Sequence, residues 1–218
     1  MKANIYLLEC LTNLHVGNGE VNYNIVDNEV ERDAVTGYPT INSSGVKGAL
    51  RAHFEELGHS KVKEIFGEDQ PGKLKFLSAN LLALSVQEST GNKPYSLKQP
   101  KTAEELFDSH QNDFGVKAAI PTSYSIQPMS DQDFDYQELP VIARNHLVNG
   151  ISKNLWYEEV VPHRSLFYIT VLAADGDSNL LDEFDKVVNG QIVQFGANAS
   201  IGYGLCKLTR LNEEDCHE

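Results

Sequence analysis

Three kinds of residue are scarce in this chain: cysteines, long apolar runs and cations. Its cysteines, Cys10, Cys206 and Cys216, are odd in number, far apart in sequence and without a C-x-x-C pair, which argues against a disulfide framework and a thiolate zinc site. Cys10 and Cys206 fall in apolar, strand-like stretches and read as small core residues. No run of about 18 apolar residues occurs, and the opening Met1-Lys2-Ala3-Asn4-Ile5-Tyr6 has no signal-peptide profile. The expectation is a cytoplasmic protein with no membrane partner. Lys and Arg number 18 against 31 Asp and Glu, for a formal charge of -13, which opposes functions that rest on clustered cations.

That deficit is uneven. Residues 104–138 carry eight acids and one base, and residues 175–218 nine acids and three bases, which together account for the whole excess. Residues 61–103 hold seven bases against four acids, and residues 139–174 three against two. A local basic track on a globally acidic protein is therefore allowed. Such a chain would hold RNA weakly alone and better inside an assembly that supplies further positive charge.

What is present is enough apolar residue for a core: 41% of 218 residues, read as one domain over 1–218. Residues 4–12 predict a first strand, and residues 73–84 a second. Helices are predicted from about Ser44 and over Asn179–Val188, with strands at Phe167–Ala173 and Gln191–Leu208, the last interrupted by glycines. Between Glu88 and Leu139 the periodicity decays at Pro94, Pro100, Pro121 and Pro128, leaving Thr102–Phe107 as the helical piece. This region reads as an inserted, thumb-like segment projecting from the core, because long irregular stretches in compact domains usually serve a function. Asp131, Asp133, Asp135 and Glu138 lack the glycine turn and spacing of an EF-hand and read as a solvated loop. Order returns at Leu139–Asn145 and Asn154–Pro162. The element order points to an α+β fold with a mostly antiparallel sheet and a ferredoxin-like (RRM-like) core.

The stretch from Leu14 to Arg51 is the richest in motifs. It opens on His15-Val16-Gly17-Asn18-Gly19, passes an acidic loop with Asp27, Glu31, Arg32 and Asp33, and closes on Gly37-Tyr38-Pro39 and Ser43-Ser44-Gly45-Val46-Lys47-Gly48-Ala49-Leu50-Arg51. Two hydroxyls before a glycine, then apolar Val46, Ala49, Leu50, Phe54 and Leu57, predict a capped amphipathic helix. Lys47 and Arg51, four apart, share the opposite face near the positive end of the helix dipole, where a phosphate would sit. On spacing alone, such a pair more often marks only a solvated face. Late in the chain, Gly196, Gly202 and Gly204 within Gln194–Leu205 permit close backbone approach.

Taken in order, the His15 glycine turn, the Asp27 loop, Gly37-Tyr38-Pro39, the Ser44–Arg51 helix start, Ile65-Phe66-Gly67 and the late glycine loop resemble the RAMP superfamily of CRISPR-associated proteins. Leu139–Asn145 and Asn154–Pro162 look like the repeated backbone subunit of the Cmr (type III-B) effector complexes, with the Csm (type III-A) backbone subunit as the nearest relative. The resemblance implies a subunit that stacks with copies of itself in a helical filament along CRISPR RNA, beside other RAMP and Cas subunits. It further implies endoribonuclease cleavage of complementary target RNA next to a thumb, with Mg2+ or Mn2+ as cofactor.

By the same resemblance Asp27 matches the family's essential aspartate and is the expected metal ligand, and His15 matches its glycine-turn histidine, a candidate acid. Lys47 and Arg51 match its helix-start cations, with Ser43 and Ser44 completing a phosphate seat. Arg144, Lys153, Gly202 and Gly204 are further RNA-binding candidates. RNA carries its own nucleophile in the 2′-OH, so alignment, proton removal and stabilisation of the leaving oxygen suffice for cleavage. Aspartates in general are feeble bases near neutrality, which favours a metal-bridging role over direct proton removal. Trp156 and Tyr157 are candidates for base stacking. Adjacent strand residues face opposite ways, so Glu158 and Glu159 are not expected to share one site. Two other readings are a non-catalytic RNA-binding scaffold of the same superfamily, and an unrelated ferredoxin-like enzyme acting on a small phosphorylated substrate.

Overall fold

In the computed structural model, which describes residues 1–17, 26–88, 94–129 and 139–212, strand β1 (Lys2–Cys10) is buried along nearly its whole length. Its apolar run, unbroken by polar alternation, fits a strand covered on both faces. Around it the chain lays down β2 (Thr40–Ile41), α1 (Ser43–Glu56), α2 (Val62–Phe66), β3 (Leu74–Phe76), β4 (Ala79–Gln87), β5 (Tyr95–Pro100), α3 (Lys101–Phe114) and β6 (Ile126–Met129). Then follow β7 (Val141–Val148), β8 (Ile151–Glu159), β9 (Leu166–Ala173), α4 (Ser178–Val188), β10 (Ile192–Gln194) and β11 (Leu205–Arg210).

The main sheet runs β10-β11-β1-β9-β4-β5-β6. Its centre, β11-β1-β9-β4, joins neighbours that are antiparallel throughout. With α1 between β1 and β4 and α4 between β9 and β11, this is the β-α-β-β-α-β arrangement of a ferredoxin-like core. On one face, α1 buries Val46, Leu50 and Phe54 and α4 buries Leu180, Leu181, Phe184 and Val188. Phe54 stacks on Phe184 at 5.6 Å between ring centroids and meets Phe66 edge-on at 5.2 Å. Each such buried phenyl contributes about 1.5–3 kcal/mol of transfer free energy. On the other face α3 buries Ala103 and Phe107, the latter edge-on to Tyr168 at 4.9 Å. No helix among the described residues is long and apolar enough to cross a membrane.

Three details depart from the sequence reading. Helix α1 begins at Ser43 with Asn42 as its cap, and Asn42 makes no side-chain cap bond; the Ser43 N–H is instead satisfied by Ser78 Oγ at 3.1 Å. The single late strand is two, β10 and β11, which fold back on each other around the glycine loop. Residues 94–129 of the segment expected to project over 88–139 extend the sheet through β5 and β6 and cover one face with α3. The prolines there mark boundaries: Pro100 is the cap residue of α3, and Pro128 sits in β6, the edge strand, where a missing N–H is tolerated. Residues 89–93 and 130–138, including the acidic stretch Asp131–Glu138, lie outside the described residues.

The element that stands off the sheet is the β7–β8 hairpin. Its strands form a separate two-stranded sheet, and β8 adds one isolated parallel bridge from Glu158 to Asn28. From Val141 to Tyr157 it is exposed except at half-buried Ile142, Arg144 and Trp156. Asn149 and Gly150 close it with φ of 53° and 76°, the two left-handed residues of a type I′ turn, whose twist matches the flanking strands.

Candidate functional site

The base of this hairpin collects Asp27, His15 and Arg144, with the late glycine loop beside them. Because side chains alternate along a strand, Arg144 and its cross-strand neighbour Trp156 share a face with Ile142 and Glu158. The Arg144 guanidinium lies over the Trp156 ring at 5.3 Å and near the Tyr203 ring at 5.9 Å. Its Nη1 donates to Glu158 Oε2 at 2.9 Å, and Asn198 Nδ2 donates to Glu158 Oε1 at 2.8 Å. Glu158 is only 3% exposed. A carboxylate that deep is tolerated because both oxygens are satisfied and an arginine neutralises it. The hairpin itself, residues 141–157, contains Arg144 and Lys153 and no acid.

Glu159 points the other way, as adjacent strand residues must. Its Oε1 pairs with Arg32 Nη2 at 2.5 Å and its Oε2 accepts from the Val30 N–H at 2.9 Å. The two acids therefore pin two different segments to one strand. His15 is buried, with Nδ1 2.7 Å from the Glu159 carbonyl oxygen and Nε2 3.8 Å from Glu158 Oε1. Since a carbonyl only accepts, Nδ1 carries the proton. The imidazole thus braces the junction of β8, the glycine turn and the late glycine loop, whose Ala197 N–H donates to the His15 carbonyl at 2.9 Å.

Asp27 is exposed and docks against the opposite edge of β8. Its Oδ2 accepts from the Tyr157 N–H at 2.8 Å, and its own N–H donates to the Tyr157 carbonyl at 3.0 Å. The loop continues through Glu31, whose Oε1 accepts from Asn42 at the start of α1 at 3.0 Å. Next comes Asp33, which closes a turn by accepting from Thr36 N and Oγ1 and from Val35 N. Partial burial pushes the Asp33 carboxyl up, yet these donors outweigh it and hold it below the usual range. One loop therefore ties the hairpin to the first helix. Residues 18–25, with Asn18 and Gly19 of the glycine turn, lie outside the described residues.

The late glycines divide by role. A Cβ on Gly204 would fall 1.8 Å from the Phe195 carbonyl oxygen, and one on Gly196 would fall 2.3 Å from that of His15, so both are needed for packing. Gly202, at φ 84°, faces open space and leaves bare backbone beside Tyr203.

The helix start is less committed to this site than its spacing implied. Arg51 Nε pairs with Glu55 at 2.7 Å and its Nη1 donates to the Gly67 carbonyl at 2.9 Å. An arginine with five donors finds both an i,i+4 carboxylate and the carbonyl ending α2, so part of its bonding capacity is committed away from the phosphate seat expected of it with Lys47. Lys47 makes no ion pair among the described residues and is half-buried. Ser44 is exposed, while the Ser43 hydroxyl donates to Asn42 Oδ1 at 3.4 Å. Lys153 is exposed on the hairpin, away from its base.

Sequence reasoning did not single out Asn198, Tyr203 or the structural work of Arg32, Glu158 and Glu159. Two signals were available. The Asn149-Gly150 dipeptide between apolar runs marks a hairpin, and two acids abutting Val160-Val161 need buried partners. Among the described residues no three His, Cys, Asp or Glu side chains cluster as metal ligands. Asp27 is an exposed carboxylate, of the oxygen-donor class that hydrated divalent cations take.

Comparison with known proteins places this geometry in context. The RAMP superfamily model matches residues 7–207. The protein described as CRISPR system Cmr endoribonuclease Cmr4, from Pyrococcus furiosus, is 26% identical over 96% of both chains. Among solved structures, a chain of type III-B Cmr-beta in the apo state superposes with a TM-score of 0.81 at 18% identity, covering 96% of this chain and 97% of the other. A chain of type III-B Cmr-beta bound to cognate target RNA gives 0.77 at 17% identity over the same shares. At these identities the two structures establish the fold.

Proposed function

The chain belongs to the RAMP superfamily, and from that premise we propose that it is a backbone subunit of a type III-B CRISPR ribonucleoprotein that binds guide RNA and cleaves complementary target RNA. The observation that carries this reading is the acid-free hairpin with Arg144 sandwiched against Trp156 and Tyr203, anchored beside the exposed Asp27. Such a surface offers aromatic rings and an acid-free edge bearing the exposed Lys153 to an RNA strand, in a chain that is otherwise strongly acidic. Partners in this reading are CRISPR RNA, target RNA, other RAMP and Cas subunits, and copies of the chain in a filament.

Asp27 is the residue that would hold a hydrated Mg2+ or Mn2+, which supplies charge stabilisation and a lowered pKa to a bound water. The chain's own contribution is alignment. The reciprocal bonds between Asp27 and Tyr157 fix the carboxylate at the root of the hairpin, so an RNA strand held there presents a 2′-OH and its adjacent phosphate to one place. Lys47, with Ser43 and Ser44, is the phosphate contact left at α1, and Gly202 lets backbone approach the strand. His15 acts in this scheme as a brace, its Nδ1–H spent on the Glu159 carbonyl.

In the assembled ribonucleoprotein, Asp27→Asn is expected to lower target cleavage at least 100-fold with guide binding unchanged, read by end-labelled target RNA and filter binding. Undiminished cleavage would remove the nuclease assignment. The lack of a three-ligand cluster among the described residues favours, as the second reading, a scaffold that binds RNA without cutting it; equal target persistence with and without Mg2+ would establish that reading.

A further inference from the structure

Cys10 and Cys206, 196 positions apart in sequence, stand directly opposite each other in the β1–β11 ladder. Directly opposed residues of an antiparallel pair alternate between two geometries, with Cα atoms about 5.5 Å apart at hydrogen-bonded positions and about 4.5 Å at the others. The Leu11 N–H donates to the Leu205 carbonyl at 2.8 Å. That bond lies one residue beyond the pair on each strand, so Cys10 and Cys206 occupy the closer, non-hydrogen-bonded position. A disulfide needs Cα atoms about 4.4–6.8 Å apart, and the closer position, at about 4.5 Å, falls inside that range. Both side chains are fully buried in the same helix-covered core.

We infer that Cys10 and Cys206 are a latent cross-strand disulfide site, closed by a small hydroperoxide. One thiol, as its thiolate, attacks the terminal peroxide oxygen to give a sulfenic acid and an alcohol, or water when the oxidant is hydrogen peroxide. The second sulfur then displaces the sulfenic oxygen, which leaves as water. The pair loses two electrons and two protons, and the hydroperoxide gains them. The bond would bolt together the two segments that frame the site, since Gly204 N–H already donates to the Asn13 carbonyl at 2.8 Å and Ala197 N–H to that of His15 at 2.9 Å.

In the resting state the site is slow. The neighbouring thiol, and then burial, push the Cys10 thiol well above its ordinary range, so little thiolate exists until the strands part. Oxidant access requires local opening, and the sheet edge beside β11 is the place for it, because the outer strand β10 is only three residues long.

The test uses the full chain with Cys216→Ser, which removes the third thiol, itself outside the described residues. Native protein is treated with hydrogen peroxide, digested without reductant and mapped by mass spectrometry. The expected result is a linked Cys10–Cys206 peptide, loss of both thiols on titration in denaturant, and a rise in Tm on the order of 10 °C that dithiothreitol reverses. Cys206→Ala in the same background should show no such rise. Retention of both thiols, over-oxidation of either cysteine without a link, or intermolecular links alone would overturn the proposal. Since the readouts are covalent and thermal, failure here leaves the RNA reading untouched, and failure of cleavage leaves this one untouched.

Discussion

Replacing Arg144 by Met removes one cation from a nearly closed system and leaves Glu158 buried with a charge. Glu158 is 4% and Arg144 21% exposed at the side chain, and they meet at 2.9 Å. Breaking a buried ion pair by deleting one partner costs about 3–5 kcal/mol, because the survivor stays desolvated. The partial exposure of Arg144 and the continuing donation from Asn198 reduce this, while loss of the contact over Trp156 adds about 0.5–1 kcal/mol. The expected loss is about 3 kcal/mol, a fall in Tm of roughly 6–12 °C for a chain of this size. Adding Glu158→Gln removes the stranded charge and keeps an oxygen for Asn198, so the double variant should be more stable than the single by about 1–2 kcal/mol. Urea titrations followed by far-UV circular dichroism measure both. Trp156, the single tryptophan of the chain, reports on the hairpin base separately. In Arg144→Met its fluorescence should change at lower urea than the dichroism, because the hairpin is held by its root and not by the main sheet. A double variant no more stable than the single, within 0.5 kcal/mol, would refute the claim that Arg144 is retained to neutralise Glu158.

Two other perturbations follow from the geometry. Gly204→Ala places a Cβ 1.8 Å from the Phe195 carbonyl oxygen at a φ of 71°, so thermal scans should show a loss above about 3 kcal/mol; a change under 1 kcal/mol would mean the glycine loop relaxes freely. Glu64, hydrogen-bonded by Lys61 and Lys73, has its carboxyl lowered from an ordinary 4.5 to about 2. Its folded value lies below its unfolded one, so its contribution is fully present above pH 4.5 and is lost as pH falls through 2. The Tm difference between the parent and Glu64→Gln should fall across that window and shrink with salt at neutral pH, because the site is solvent-facing; a difference undiminished between pH 5 and pH 2 would contradict the assignment.

The ferredoxin-like core could be read from the chain because its signals are local. The continuous apolar run of β1, the stripe of Val46, Leu50 and Phe54 on α1, and the periodicity of α4 each report burial through spacing alone. Proline, by contrast, misled: Pro94, Pro100 and Pro128 break periodicity whether they end an element or begin an irregular loop, so β5 and β6 looked like part of an insertion, while Thr102–Phe107 was legible as helix and lies within α3. The late glycine loop was legible as a motif, since glycine tolerance is also a local property; Asp27 and His15 stood out through the family resemblance.

Pairing across long sequence distances is another matter. Nothing in the spacing says that Glu158 meets Arg144, Asn198 and His15, that Arg51 spends its donors on Glu55 and Gly67, or that Cys10 faces Cys206. A side chain's partner depends on which strands become neighbours and in what register, and one residue of slip exchanges every inward face for an outward one. Local sequence therefore set which elements form and where the chain can turn, while the register of β1, β8 and β11 decided which charges are buried together and where the site lies.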